Sequence, residues 1–307
     1  MDYVSIRVST LRGDQKIDFN AYVKINEKMI LYLRRGDSFE GERLKRLKEK
    51  KLRKMFIVTD EESLYRDYLQ KNIETAYHDS NKDMQTRAEI IQGAQQSNTE
   101  EVFENPESEK SYAECKDAAG KYVDFIINNT DAFKKVMGME NTDKNIAHHG
   151  VTVATLSIAL ANKLGITDAK RTQLLTLGSL LHDFGHHASS LNLVQPLAKM
   201  SAEDKAIWAR HPSEGAQKVQ DKKHFDQTVI NIINQHEETI NGGGPLGLRE
   251  KDIDPLSVIV SSANAMDRLI TFENIPKSEA AKKLMIEHVG NHPLNHIQML
   301  NDIVKSL

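Results

Sequence analysis

Apolar and polar positions alternate with a period of two in the first sixty residues. Residues 3–9 (YVSIRVS) and 21–25 (AYVKI) show this pattern, and residues 29–33 form a short apolar run closed by Arg34-Arg35-Gly36-Asp37. The spacing predicts strands there, and one more over residues 55–58. Residues 40–54 place Leu44, Leu47 and Leu52 among many basic residues and read as a helix; residues 61–75 read as another. A small α/β unit is expected. The Lys/Arg run from Arg43 to Lys54 reads as a solvated helix face, because acidic residues interrupt it and no nucleic-acid motif accompanies it.

Residues 78–112 turn polar and acidic, which leaves a linker or a long connecting helix open, with Asn105-Pro106-Glu107-Ser108 as the break. From about residue 113 strand-like alternation gives way to helical spacing. Thr142-Asp143 is expected to cap a helix reaching Leu164, with Ile146, Val153, Leu156 and Leu160 near one face and Gly165 ending it. Thr167 is expected to cap the next, through Leu174, Leu177 and Leu181. Ser201, with Asp204 three residues on, starts a helix expected to stop near His211-Pro212. Residues 225–238, 255–271, 278–289 and 293–306 complete an all-α bundle of about seven helices. The expected organisation is a regulatory or interaction domain over residues 1–110 and a helical domain over residues 111–307. The first lacks the acidic pair and phosphoacceptor of a response-regulator receiver.

Composition narrows the chemistry. The 307 residues hold one cysteine, Cys115, so an intramolecular disulfide and a cysteine-rich zinc module are both excluded. Of 12 histidines, only His78 lies outside the stretch from His148 to His296. A metal site must therefore be built from imidazole and carboxylate, in the second part of the chain. With 41 basic and 44 acidic residues the net charge is −3, which gives no global pull toward DNA or RNA. The first residues show no basic or long apolar leader, and no stretch approaches the roughly 18 apolar residues of a membrane helix. A cytoplasmic protein without membrane insertion is expected.

The sharpest local feature is Leu180-Leu181-His182-Asp183-Phe184-Gly185-His186. An apolar helix runs into an adjacent His-Asp pair, and a glycine releases the chain. At a helix end two neighbouring ligands can splay around one centre. His149, His211, His236 and Asn264, with Asp267 one turn later, stand at helix ends or on helix faces and can join them. Oxygen and nitrogen donors of this kind suit divalent Fe, Mn, Zn or Ni.

In that order these residues resemble the HD superfamily of metal-dependent phosphohydrolases, and within it the HD-GYP family, whose members hydrolyse the bacterial messenger cyclic di-GMP. His149-Gly150-Val151-Thr152-Val153 resembles the H-S-x-x-V opening, and Leu180 to His186 resembles LLHDxGK. Arg210 to Ala216 (RHPSEGA) resembles RHPxxGA, and His236 to Leu248 (HEETINGGGPLGL) resembles HHExxDGxGYPxGL. The resemblance covers roughly residues 120–305. It implies two divalent ions, Fe or Mn first, held by His149, His182, Asp183, His211, His236 and Asn264, with Asp183 bridging. It also implies a cyclic dinucleotide ligand.

The departures also carry chemistry. His236 aligns with the first histidine of HHE and Glu237 with the second; the other registration puts Gln235 on the first. The GYP tyrosine is absent either way. Lysine becomes His186, the final ligand aspartate becomes Asn264, and a basic residue nine positions on becomes Glu273. Asn145 and Glu237 stand where some members hold a third metal, so a third ion is not expected. His186 would meet phosphate or serve as proton donor. Gly243 and Gly244 read as a phosphate cradle or as a flexible turn. Trp208 is expected in the core, and His187, His288, His292 and His296 as surface or structural residues.

Three functions stay open: a cyclic di-GMP phosphodiesterase, a catalytically weak metal-bound signalling module that binds a nucleotide or a partner protein, and a phosphohydrolase for another ester.

Overall fold

A computed structural model of the chain describes residues 2–13, 15–40, 42–50, 52–79, 81–139, 145–187, 189, 191 and 196–306, without the side chains of residues 9 and 48. Two compact units divide it, Met1–Ser97 and Asn98–Leu307.

The first unit holds β1 (Tyr3–Arg7), β2 (Ala21–Ile25), β3 (Lys28–Leu33), α1 (Glu42–Glu49), β4 (Lys54–Val58) and α2 (Glu62–His78). The strands form one antiparallel sheet in the order β1-β4-β2-β3. Asn26 and Glu27 join β2 to β3 at φ 47° and 62°, the left-handed pair that a two-residue hairpin loop requires. The inward side chains of the strands, with Phe19, Phe39 and Leu47, form one core that Tyr65 and Tyr68 of α2 join. The rings of both tyrosines meet Phe19 edge-on. β1 stops two residues short of its expected end, where a 3-10 turn at Val8–Thr10 takes over. Residues 50 and 52–54 are not helical, because Lys54 already pairs with Arg7 in the sheet.

Helix α3 (Met84–Glu104) crosses the division between the units, so most of the polar stretch is helix, broken at residues 105–108. The second unit continues with α4 (Glu109–Asn128), α5 (Thr130–Gly138), α6 (Ile146–Lys163), α7 (Ala169–Leu181), α8 (Ala202–Val219), α9 (Gln227–Gln235), α10 (Pro255–Thr271), α11 (Lys277–Glu287) and α12 (Leu294–Lys305). Among the described residues this makes nine helices from residue 109 on, against about seven expected. The core lies where α6, α7 and α10 meet, and most residues of these three helices are buried.

Thr142 and Asp143 lie outside the described residues; the described start of α6 is capped by Asn145, whose side chain accepts from the Ala147 amide. Asp168, not Thr167, caps α7, by accepting from the Arg171 amide. A carboxylate adds charge attraction to the cap's hydrogen bond at the positive end of the helix. Ser201 caps α8 as expected, with the Asp204 amide as donor.

The expected stop at Pro212 is overturned: α8 runs through it to Val219. Proline costs a helix one hydrogen bond, here to the carbonyl of Trp208 four residues back. The imidazole of His211 replaces that bond, its Nδ1 donating to the Trp208 carbonyl at 2.5 Å. That replacement also orients the ring.

Candidate metal centre

His149 comes from the first turn of α6. His182 and Asp183 follow the end of α7, His211 sits mid-α8 before its proline, His236 caps α9, and Asn264 and Asp267 are successive turns of α10. All seven are buried. Segments far apart in the chain thus converge on one point inside the bundle.

The two oxygens of Asp183 divide the centre. Oδ2 lies 3.8 Å from His149 Nε2 and 3.5 Å from His182 Nε2. Oδ1 lies 3.3 Å from His211 Nε2 and 3.5 Å from His236 Nε2. These make two triads with a shared carboxylate, each with its donor atoms within 4.8 Å of one another.

A single device sets three of the rings. His182, His211 and His236 each donate Nδ1 to the carbonyl three residues back, those of Ser179, Trp208 and Ile233, at 2.7, 2.5 and 2.9 Å. Each carbonyl is released from the helical ladder by a helix end or by proline. With Nδ1 carrying the proton, Nε2 of a neutral ring keeps its lone pair. His149 Nδ1 donates instead to Asp267 Oδ2 at 2.6 Å, the carboxylate–histidine pairing common behind metal ligands. Asp267 therefore stands behind the candidate ligand His149 and turns the carboxylate oxygen Oδ2 to its Nδ1.

These lone pairs test whether a cation fits. His211 Nε2 and His236 Nε2 are 2.9 Å apart, both facing Asp183 Oδ1. His149 Nε2 faces Asn264 Oδ1 at 3.0 Å, because Asn264 turns its amide nitrogen toward Glu237, donating at 2.9 Å. His182 Nε2 is buried with no hydrogen-bond partner. Acceptors packed against acceptors repel one another unless positive charge lies among them, so this donor set fits divalent metal ions.

Protonation states agree. Burial pushes the His182 pKa down to about 3, so its ring is neutral and ligand-ready at pH 7. Burial opposes the charge of Asp183, yet the surrounding imidazoles hold its carboxyl well below the usual range. For His149 burial lowers the pKa, but the hydrogen bond and charge of Asp267, with the charge of Asp183, outweigh burial and raise it. Protons thus compete with a metal at His149 as pH falls. Asp267→Asn removes the charge that orients and polarises this ring. It is expected to weaken metal binding by about 10- to 100-fold, with folding retained, as a metal titration would show.

His186 stacks on His211 with ring centroids 3.7 Å apart and planes 19° apart. Burial and the neighbouring His211 drive its pKa down to about 2, so an imidazolium is not available there; the neutral ring keeps one N–H to donate. Gly243 offers no free amide: its N–H already donates to Thr239 Oγ1 and Asn241 Oδ1. Glu238 is buried and accepts from the Leu246 and Leu248 amides at 2.6 and 2.8 Å, which organises this loop. A Cβ on Gly244 would lie 2.6 Å from Glu238 Cα, so glycine is needed there for close approach.

A cavity of about 340 Å³ borders the centre through Asn264 and Glu237. Gly243, Gly244, Glu273 and Arg268 also line it. So do Trp208, expected in the core, and His288 and His292, expected as background. Arg268 was not legible as a site residue by motif. Its one available signal is position, one helical turn after Asn264 on the same face.

Residues 146–269 match the HD domain family. The solved structure of Bd1817, an HDG"Y"P protein from Bdellovibrio bacteriovorus, is 79% identical, with 99% of this chain and 100% of that one covered and a TM-score of 0.95. This chain belongs to the HD-GYP family. Two curated relatives are more distant. The cyclic di-GMP phosphodiesterase PA4108 of Pseudomonas aeruginosa is 26% identical over 145 residues, 47% of this chain and 35% of that protein. The cyclic di-GMP phosphodiesterase PdeB of Borreliella burgdorferi is 25% identical over 174 residues, 50% of this chain and 45% of that protein. The chain thus spans less than half the length of these curated relatives. Among the described residues no helix is long and apolar enough to cross a membrane.

Proposed function

We propose that this HD-GYP protein is a metal-dependent phosphodiesterase that opens cyclic di-GMP at a dinuclear centre. The observation that carries the reading is the pair of triads sharing Asp183, one oxygen to each. His149, His182 and Asn264 would hold one ion and His211 and His236 the other; mixed nitrogen and oxygen donors suit divalent Fe, Mn, Zn or Ni, and the family resemblance favours Fe or Mn. When bound, the ions supply Lewis acidity, bringing the pKa of water toward neutrality and offsetting charge on the phosphoryl oxygens.

The chain's own residues do the rest. Asp183 spaces the two halves. Asp267, Ser179, Trp208 and Ile233 hold the imidazoles in the tautomer that leaves Nε2 open. Neutral His186 donates a hydrogen bond to a phosphate oxygen, in place of a positive charge. Hydrolysis adds water across one P–O3′ bond: a new P–O bond forms, and the leaving 3′-oxygen takes a proton.

A catalytically weak, metal-bound signalling module is the second reading. A neutral His186 and a carboxylate, Glu273, on the cavity wall favour it, since both weaken the grip on phosphate. Residues 1–110 would serve either reading as a regulatory or interaction domain, with a signalling protein as its partner.

Protein loaded with Mn or Fe is expected to contain about two ions per chain and to convert cyclic di-GMP to the linear dinucleotide, followed by chromatography. Binding without turnover selects the signalling module. Failure to bind Mn or Fe at all would rule out both.

A further inference from the structure

Arg268 lies on α10, one turn beyond Asn264, and its side chain lines the cavity beside the metal centre. Its guanidinium stacks over the Trp208 ring, 5.3 Å from the ring centre, and over Phe272 at 5.6 Å. Such stacking fixes the position of a cation without using its hydrogen-bond donors. Among the described residues, no carboxylate or carbonyl takes a hydrogen bond from this guanidinium, so its fork of donors faces the cavity uncommitted. Its charge reaches the centre, opposing protonation of both His149 and His186.

The cavity sharpens the point. Two carboxylates line it, Glu237 and Glu273, and Arg268 is the one Lys or Arg among its described lining residues. His292, also on the wall, is pushed down to about 4 by burial and is neutral at pH 7. A phosphate entering this space meets repulsion from Glu237 and Glu273, and one permanent cation answers it.

We propose that Arg268, held on Trp208, binds a non-bridging oxygen of the substrate's phosphodiester and is the cationic anchor of this cavity. The proposal rests on the phosphodiesterase reading for the identity of the substrate, and on the cavity for the site. The ligand class is a phosphate ester presented to the centre from the Asn264 side. An arginine fork accepts two phosphate oxygens where an ammonium meets one, so lysine is a partial replacement.

The test uses the full chain loaded with Mn, with metal content measured on every sample. Inorganic phosphate binding is read by calorimetry and cyclic di-GMP turnover by chromatography. Arg268→Met keeps the apolar stem on Trp208 and removes the charge. It is expected to weaken phosphate binding and raise KM for cyclic di-GMP by about tenfold or more, with metal content and kcat changed far less. Arg268→Lys is expected to recover part of both. Trp208→Leu, which leaves the charge but frees the side chain, is expected to fall between wild type and Arg268→Met. Unchanged phosphate affinity and KM in Arg268→Met, at full metal content, would overturn the proposal, as would an Arg268→Lys variant no better than Arg268→Met in both measurements. The two readings separate cleanly. Phosphate bound through Arg268 without any cleavage of cyclic di-GMP removes the phosphodiesterase and keeps the anchor. Cleavage with wild-type KM and phosphate affinity in Arg268→Met removes the anchor and keeps the phosphodiesterase.

Discussion

Asp183→Ala is expected to empty both halves of the centre at once. Each triad depends on one oxygen of this carboxylate, Oδ2 toward His149 and His182, Oδ1 toward His211 and His236. Removing it leaves four buried imidazoles whose lone pairs converge with no negative charge to balance an ion. Changes to outer partners of metal ligands cost about 10- to 100-fold in affinity, and loss of a shared ligand is expected to exceed that. Metal analysis after gel filtration should show less than one ion per chain, and turnover should fall below detection. Asp183→Asn tests charge apart from shape. Its amide keeps one oxygen but turns an NH2 toward one triad, so that half should lose its ion first. Retention of two ions by Asp183→Ala would show that the triads do not share this ligand.

Gly185→Ala is expected to be the most damaging glycine-to-alanine change among the described residues. A Cβ there would collide with the backbone carbonyl oxygen of His211, and it would lie 2.8 Å from the carbonyl carbon. The facing Gly215 is also tight, since a Cβ on it would lie 2.8 Å from the Gly185 amide nitrogen. The 3-10 turn after Asp183 is thus pressed backbone to backbone on α8. A side chain could rotate away, but backbone on both sides can relieve the overlap only by moving α8. Overpacking of this kind costs about 3 kcal/mol or more, and in a domain of this size that lowers Tm by roughly 6–12 °C. His211 moves with α8, so metal binding should fall as well. Gly138→Ala is the control: nothing lies within 4 Å of its Cβ position, and its Tm should be unchanged or slightly higher. Equal Tm values for the two variants would refute the close approach.

The N-terminal strands were legible because alternation with a period of two puts every second side chain into one core, and β2 appears with the bounds its pattern predicts. The helices were legible as helices, but their ends were less so. Asp168 rather than Thr167 caps α7, and α8 passes through Pro212. Local rules treat proline as a break because they count the lost backbone bond. They do not count an imidazole one residue earlier that satisfies the released carbonyl. The signal was present in the adjacent pair His211-Pro212, yet it became readable only when the ring's direction was known.

The donor residues of the centre were legible too, through motif order and through residue type, since a chain with one cysteine must use imidazole and carboxylate. Their division was not. Which oxygen of Asp183 serves which pair, and that Glu237 turns the Asn264 amide so that its oxygen faces His149, depend on atoms brought together by α6, α7, α8, α9 and α10. The cavity wall was the least legible part. Trp208 read as core, His292 as background, and Arg268 was not singled out, because no motif includes these positions, and only the crossing of helices sets them around one space.

The sequence by itself determined the elements, the donor types and the family resemblance, because periodicity, capping and side-chain chemistry are local properties. The tertiary structure alone decided the tautomers, which oxygen of Asp183 serves which pair, and the company of Arg268. Those rest on distances of about 3–5 Å between groups up to more than a hundred residues apart, and no local rule encodes such distances.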